Sequence, residues 1–314
     1  MRILITGAFG YLGGRISSFF SSIPEHEIIL ASTRNVKTSY LPKHIKFIQI
    51  NWEDEESIFN ACLNIDIIIH TAGMNAQECS INPVEALIVN GVYTAKLVKN
   101  AISNKVKKII YFSTAHVYNN PLKGIITEDV CPKNKHPYST SHLAGENIII
   151  QSHLSDKIQG VVLRLSNCIG APKDINSNCW MLLVNDLCKQ IIEHKKMKLN
   201  TNGDQLRNFI TINDVCRVLR NVIELNFRTD DNIIFNVGNE TMSILEMAQI
   251  IKKRAKLILG FSPKLEVFKQ ENIKIEDFQY ITYRLDSIGF KDFTNYEKEI
   301  DNLLIFCKNH FSHD

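Results

Sequence analysis

No apolar run in this sequence approaches the roughly 20 residues that a membrane-spanning helix needs, so no such helix is expected. An excess of either charge is also lacking: 36 basic residues meet 33 acidic ones, a net of +3. Without a basic block, a general nucleic-acid-binding role is not expected. The one dense basic stretch, Lys195-Lys196-Met197-Lys198, follows a helical pattern and reads as solvated surface. Eight cysteines are scattered with no C-x-x-C pair and no clustering with histidine. Neither a disulfide framework nor a zinc or other metal site fits that pattern; reduced small residues in a cytoplasmic protein do. The first residues run straight into an apolar strand, so no signal peptide is expected. Internal repeats and low-complexity tails are absent.

What is present is ordinary globular material. Of 314 residues, 45% are hydrophobic and 22% charged, enough for one large domain or two lobes. The organising stretch is Thr6-Gly7-Ala8-Phe9-Gly10-Tyr11-Leu12-Gly13. Arg2-Ile3-Leu4-Ile5 before it suits a buried parallel strand, and Ile16, Phe19 and Phe20 after it lie at helical spacing. A strand, a glycine turn and a helix in that order form the setting of a dinucleotide site. The glycines allow a tight turn and a close backbone approach to a pyrophosphate, which sits on the N–H groups of the helix start.

Strands and helices alternate through the first two-thirds of the chain, which predicts a parallel sheet covered on both faces. Further strands are expected at Glu27–Ala31, Ile45–Ile50, Asp66–Thr71, Lys107–Ser113 and Gly160–Leu165. Helices are expected near Glu55–Leu63, Val84–Ile102 and Tyr138–His153. The pattern fades after Gly170, so residues 168–207 and 238–314 are assigned to a smaller C-terminal lobe. Residues 1–167 form the dinucleotide-binding part, with 208–237 returning to it. Ser243-Ile244-Leu245-Glu246 reads as a capping box opening a helix in the smaller lobe. The run at the end of the second strand, Ile29-Leu30-Ala31-Ser32-Thr33-Arg34, lacks the acid that would bond a ribose 2′-hydroxyl. Arg34 can meet a 2′-phosphate instead, which leans the cofactor from NAD(H) toward NADP(H); stacking on adenine or facing water are its other readings.

Two later stretches carry chemistry: Tyr111-Phe112-Ser113-Thr114-Ala115-His116-Val117-Tyr118, and His136-Pro137-Tyr138-Ser139-Thr140-Ser141-His142-Leu143-Ala144-Gly145-Glu146. With the glycine turn they come with Ile69-His70-Thr71-Ala72-Gly73, Val89-Asn90, Leu163-Arg164-Leu165-Ser166-Asn167, Arg207-Asn208-Phe209-Ile210-Thr211-Ile212-Asn213-Asp214 and Asn236-Val237-Gly238. In order and spacing the series resembles the extended short-chain dehydrogenase/reductase family of sugar-nucleotide epimerases, dehydratases and reductases. The resemblance covers nearly the whole chain. It implies a Rossmann-type doubly wound parallel sheet with a smaller C-terminal substrate-binding lobe, and a ligand cleft at the carboxyl ends of the strands.

The resemblance also implies roles. Tyr138 would move a proton on a sugar hydroxyl, and Thr114 would hydrogen-bond the same oxygen. Cofactor contacts would come from Gly7, Phe9, Gly10, Tyr11, Leu12 and Gly13 of the turn, then Arg34, Asn51 and Trp52. Thr71, Ala72, Gly73 and Asn90 would add to these, with Tyr138 and His142. Asn167 and Arg207 match positions that meet a substrate diphosphate, for which a guanidinium supplies several fixed donors.

Two departures matter. The family motif is Tyr-x-x-x-Lys, and here His142 stands in the lysine position. Helical spacing still puts it on the face of Tyr138, but neutral imidazole brings no fixed charge. An enzyme with altered pH dependence, a slow enzyme and a non-catalytic dinucleotide-binding regulator all remain open. The second is Ala115-His116, where the family's 4,6-dehydratases carry an Asp-Glu pair for water elimination; its loss argues against that dehydration. His116 reads as a second acid/base, a group bonding a sugar hydroxyl, or a packed strand-end histidine.

The expected function is an NAD(P)-dependent oxidoreductase at C4 of a nucleotide-activated hexose or heptose. A 4-dehydrogenase, 4-epimerase or 4-keto reductase would each fit, in the building of polysaccharide sugars. An NADP-linked reductase of small carbonyl compounds is the alternative, against which Asn167 and Arg207 speak. The partner is a nucleotide-diphosphate sugar. The helices Val84–Ile102 and Tyr138–His153 resemble those through which the family forms dimers, so a homodimer or higher homo-oligomer is expected.

Overall fold

The computed structural model describes residues 1–36, 42, 44–268 and 277–312. In chain order the first half runs β1 (Arg2–Thr6), α1 (Tyr11–Phe20), β2 (Glu27–Ser32), β3 (Ile45–Gln49), α2 (Glu55–Ala61), β4 (Ile67–His70), α3 (Ala76–Ile81), α4 (Pro83–Leu87), α5 (Tyr93–Ser103), β5 (Lys108–Thr114), β6 (Gly124–Ile126) and α6 (Pro137–Leu154). The second half runs β7 (Gln159–Leu165), β8 (Asn167–Ile169), α7 (Leu183–His194), β9 (Lys196–Leu199), β10 (Leu206–Thr211), α8 (Ile212–Glu224), β11 (Ile234–Val237), β12 (Glu240–Ser243), α9 (Ile244–Leu259), β13 (Lys264–Val267), β14 (Phe278–Tyr280), α10 (Tyr283–Ser287) and α11 (Glu297–Phe311).

A seven-stranded sheet has the order β11-β7-β5-β4-β1-β2-β3. Its pairs from β7 through β3 are parallel. The order reverses beside β1, as in doubly wound sheets, whose ligands lie at the carboxyl ends of the strands. The expected α/β, Rossmann-type sheet is therefore present. Its strands are near-continuous apolar runs because both faces are covered: every residue of β4 and β5 is buried, and Ile3, Leu4 and Ile5 of β1 have no exposed surface.

By contacts the chain divides into two compact units: residues 1–120, 131–165 and 220–235, and residues 121–130, 166–219 and 236–314. The first has a core of Leu4, Ile29, Ile68, Ile109 and Val162 from the sheet against Leu97, Ala101 and Ile149 from the helices. The second closes Leu187, Ile191, Met247, Ile251, Ile300 and Leu304 of α7, α9 and α11 around Met197 and Phe209. Residues 121–130 join the second unit because β6 pairs in parallel with β14, more than 150 positions further along. The Ser243 capping box is present: its side chain accepts the Glu246 N–H while Glu246 reaches back to the Ser243 N–H. The three lysines of the basic stretch are exposed, and all eight cysteines are free thiols.

One expected helix differs. The stretch read as a single helix over Val84–Ile102 is α4 and α5 joined by a π-helical turn at Ile88–Val92, where the Tyr93 N–H reaches the Ile88 carbonyl. Inside that wider turn Asn90 is buried with both ends of its amide used. It donates to Ser141 Oγ (2.9 Å) and accepts from the Met74 N–H (2.9 Å). A regular 3.6-residue period cannot express this inserted turn.

Candidate functional site

The glycine turn is shaped by close approach. Gly7 has φ 68°, in the left-handed region, and a Cβ there would stand 2.7 Å from the Ala72 nitrogen. A Cβ on Gly13 would stand 2.2 Å from the Gly7 carbonyl oxygen and 2.6 Å from Thr71 Oγ1. Helix α1 thus lies directly on the turn, and Thr71 fastens the end of β4 to β1 by donating to the Thr6 carbonyl (2.6 Å). Gly10 caps α1 with no side-chain acceptor. The first-turn N–H groups have no acceptor within the helix and carry its positive end, which suits a phosphate. A cavity of about 470 Å³ opens beside the turn, lined by Gly7, Phe9, Gly10, Arg34, Asn51, Trp52, Thr71, Ala72 and Gly73 among others. A glycine cradle, an uncapped helix start and a cavity of this size fit a dinucleotide. Tyr11, Leu12 and Gly13 form the adjoining helical turn; Asn90, Tyr138 and His142 do not line this cavity.

The cavity also contains acids that the sequence reading did not name. Glu53 and Glu85 line it, on the loop after β3 and on α4 rather than at the end of β2. Glu53 accepts from the Tyr93 hydroxyl and pairs with Lys96 at 3.4 Å. Tyr93 in turn stacks on Trp52, with ring centres 5.6 Å apart and planes 9° from parallel. Asn51 accepts the Glu53 N–H at 3.0 Å, which folds the loop back on itself. At the end of β2, Ser32 Oγ accepts the Arg34 N–H at 3.1 Å, so the loop carrying Arg34 is turned by the serine.

Thr114 ends β5. Its Oγ1 accepts the His116 N–H at 3.1 Å, and its hydroxyl stands close enough to the Tyr138 hydroxyl to act on its pKa. Tyr138 stands in the first turn of α6, behind Pro137, and its N–H donates to Nδ1 of the capping His136 (3.2 Å). Burial pushes the Tyr138 hydroxyl above its ordinary pKa, and the neighbouring Thr114 hydroxyl partly offsets this. One turn on, the His142 ring meets Tyr138 edge to face at 4.6 Å. His142 Nδ1 lies 2.9 Å from the Tyr111 hydroxyl. Burial pushes the His142 pKa down to about 4, so no fixed positive charge stands in the lysine position at neutral pH. His116 is half-buried, and its carbonyl accepts from Asn134 (2.7 Å) and Ser139 (2.9 Å), so its backbone ties the post-β5 turn to the start of α6.

His70 lies between Thr6 Oγ1 (2.6 Å) and Thr94 Oγ1 (3.1 Å), and burial, then the neighbouring His142, push its pKa down to about 3. Both histidines are uncharged when folded but ionise near pH 6.5 when unfolded. The unfolded chain therefore holds more protons below that point. Stability is whole above about pH 6.5 and is lost as pH falls toward 4, by roughly 1.4 kcal/mol per pH unit for each histidine. Melting curves between about pH 7.5 and 5 check this against the ordinary histidine range; an unchanged midpoint would show that these imidazoles are not held neutral.

In the second unit, Asn167 and Arg207 lie on paired strands, with Asn167 opposite Phe209. Asn167 spends its amide on the Asn208 carbonyl (2.8 Å), so it fastens β8 to β10. Arg207 is different. Burial lowers its pKa, and among the described residues no hydrogen bond or ion pair reaches its guanidinium. A half-buried cation without a counter-ion suits an anionic ligand.

Sequence reasoning missed Tyr111 and Ser141. The signal for Tyr111 was strand alternation. Tyr111 and Ser113 share a face of β5 and meet His142 and Glu146, one helical turn apart on α6. Ser141 falls inside the quoted motif, and only the inserted turn at Asn90 reveals its partner.

A doubly wound sheet with a glycine cradle, and a Thr–Tyr pair at the end of its strands, defines a dinucleotide-dependent oxidoreductase of the short-chain class. The chain belongs to the NAD dependent epimerase/dehydratase family, whose profile matches residues 3–238. It is thus an enzyme of the NAD-dependent sugar-nucleotide epimerase and dehydratase kind. It is 29% identical over 272 residues to bovine (Bos taurus) dTDP-D-glucose 4,6-dehydratase, covering 80% of this chain and 73% of that one. Against the UDP-glucose 4-epimerase of Dictyostelium discoideum it is 27% identical over 278 residues, with 80% of each chain covered. The fold matches a UDP-glucuronic acid 4-epimerase from Bacillus cereus, solved with UDP-glucuronic acid and NAD. That match has a TM-score of 0.81 over 98% of this chain and 99% of the other, at 21% identity.

Proposed function

We propose that this protein oxidises or reduces C4 of a nucleotide-activated hexose or heptose, as a 4-dehydrogenase, 4-epimerase or 4-keto reductase. The observation that carries the reading is the Tyr138 hydroxyl placed beside Thr114, with the His142 ring against the same tyrosine, in the same unit as the glycine cradle. The nicotinamide, when bound, accepts or returns the hydride. Tyr138 gives or takes the proton on the C4 oxygen, and Thr114 holds that oxygen. Elimination of water is not part of the proposal, because Ala115 and His116 stand where the dehydratases carry their acid pair. Kinship with a dehydratase therefore extends to the redox half of its chemistry only.

Arg207 is proposed to hold the diphosphate. Arg207→Ala is expected to weaken binding of UDP, dTDP or GDP by about 10- to 100-fold, the worth of charge-assisted bonds to phosphate. Isothermal titration checks it, and unchanged affinity would remove Arg207 from the site. Arg34 favours NADP(H), since the end of β2 offers no acid to a 2′-hydroxyl. Exposed Val84, Leu87, Val92 and Leu154 support a homodimer through the faces of α4 to α6; sedimentation as a monomer at micromolar concentration would refute it.

The test of the function begins without substrate. The purified protein is denatured and any released dinucleotide identified by mass. Retained NAD(H) supports a cofactor recycled in place, as in an epimerase. Empty protein that takes up NADPH supports a reductase. Protein that takes up neither overturns the proposal.

A further inference from the structure

Tyr111 is fully buried on β5, yet its hydroxyl is given a specific place. It reaches His142 Nδ1 at 2.9 Å through a gap left by Gly145, where a Cβ would stand 2.5 Å from the tyrosine oxygen. The other acceptor within reach, the carbonyl of His142, lies at 3.5 Å, the limit of an O–H···O contact. Among the described residues, His142 Nε2 has no partner. A neutral imidazole has one donor and one acceptor nitrogen. The acceptor nitrogen is a much better base than a phenol oxygen, and a phenol is a better donor than an imidazole N–H. The 2.9 Å bond therefore runs from Tyr111 to Nδ1, and the ring proton stays on Nε2.

We propose that Tyr111 is a positioning residue that locks His142 in its Nε2–H tautomer, so that the histidine presents a fixed neutral donor to the nicotinamide ribose. The lysine of the family motif carries donors in every orientation and needs no such partner. A histidine does, because in the opposite tautomer Nε2 would be an acceptor. Tyr138 packs against the same ring at 4.6 Å, and Tyr111 also touches the buried His70 ring at 5.7 Å. These aromatic groups carry no charge at neutral pH, and Glu146, one turn further along α6 and acting on Tyr111, is spent on Arg164. The inference rests on the dinucleotide reading of the site for the ribose, but not for the tautomer.

The experiment has two arms. Nitrogen NMR of protein with 15N-labelled histidine reads the tautomer directly, with no cofactor present. Protonated Nε2 and bare Nδ1 on His142, lost in Tyr111→Phe, are expected; a proton on Nδ1 in the unaltered protein overturns the proposal. The second arm measures dissociation constants of NADH and NADPH by fluorescence for the unaltered protein, Tyr111→Phe, His142→Lys and the double variant. Removing the hydroxyl is expected to weaken the preferred dinucleotide by about 3- to 10-fold beside His142 and to have no effect beside lysine. An equal loss in both backgrounds would make Tyr111 a packing residue and overturn the proposal. If the unaltered protein binds neither dinucleotide, the functional reading fails, and the NMR arm still decides the tautomer. Should the lysine variants fail to fold, the NMR arm again decides.

Discussion

Tyr138→Phe is expected to lower turnover by about two to four orders of magnitude, the usual worth of one general acid–base group, while dinucleotide binding is kept. The ring, its contact with His142 and its place behind Pro137 all survive in phenylalanine; only the hydroxyl beside Thr114 is lost. Burial raises the pKa of that hydroxyl, and His142 brings no fixed charge to lower it. The resting side chain is therefore a protonated phenol, ready to give a proton to a reduced carbonyl and slow to take one from an alcohol. Oxidation should accordingly climb with pH through the neutral range. His142→Lys, which restores a charge, should move that climb to lower pH. Steady-state kinetics with a panel of UDP-, dTDP- and GDP-hexoses checks both. A Tyr138→Phe protein with more than about a tenth of the turnover would fall short of the expected acid–base contribution and remove Tyr138 from the chemistry.

The strand, glycine turn and helix were legible because three independent local signals coincide there: a run of β-formers, glycines where only a missing Cβ fits, and helical spacing afterwards. Strands β2, β5 and β7 stand within a residue of their expected ends for the same reason. The inserted turn at Asn90 was not legible. Its cause is a pair of bonds from one amide to Ser141 and Met74, and each partner is set by the tertiary fold. The pairing of β6 with β14 was invisible too, since three residues of ordinary composition carry no record of a partner so distant in sequence. In the candidate site, the nearness of Tyr138 to His142 and to Thr114 was readable from motif spacing. What spacing does not carry for Asn167 is its neighbour: one N–H of its amide donates to the Asn208 carbonyl across to β10. Tyr111 shows the converse. It opens a quoted stretch with no role attached to it, yet Gly145 three residues after His142 is the vacancy its hydroxyl occupies.

Glu146→Ala is expected to cost about 3–5 kcal/mol of stability, the penalty for leaving a buried charge without its partner. Glu146 is fully buried and faces Arg164, itself only 3% exposed. Three contacts join them, at 3.0, 3.3 and 2.7 Å, and the Ser113 hydroxyl adds another at 2.5 Å. Arg164 goes on to donate to the Tyr118 hydroxyl (2.8 Å) and lies over the Tyr118 ring at 4.7 Å. Burial alone would lower the guanidinium pKa, yet the Glu146 carboxylate more than offsets it and holds the value above the usual range. The network thus joins α6 to β5, to β7 and to the turn after β5. Thr114 follows Ser113 directly, and Tyr138 lies two helical turns before Glu146, so the same bonds fix the spacing of Thr114 and Tyr138. Replacing both charges at once, as Glu146→Leu with Arg164→Met, should cost much less than the sum of the single losses, because no unpaired charge is left inside. Urea unfolding of the four proteins measures the cycle. A single-variant cost below about 1 kcal/mol, the scale of an exposed pair, would mean that water reaches the arginine and that α6 is held by packing alone.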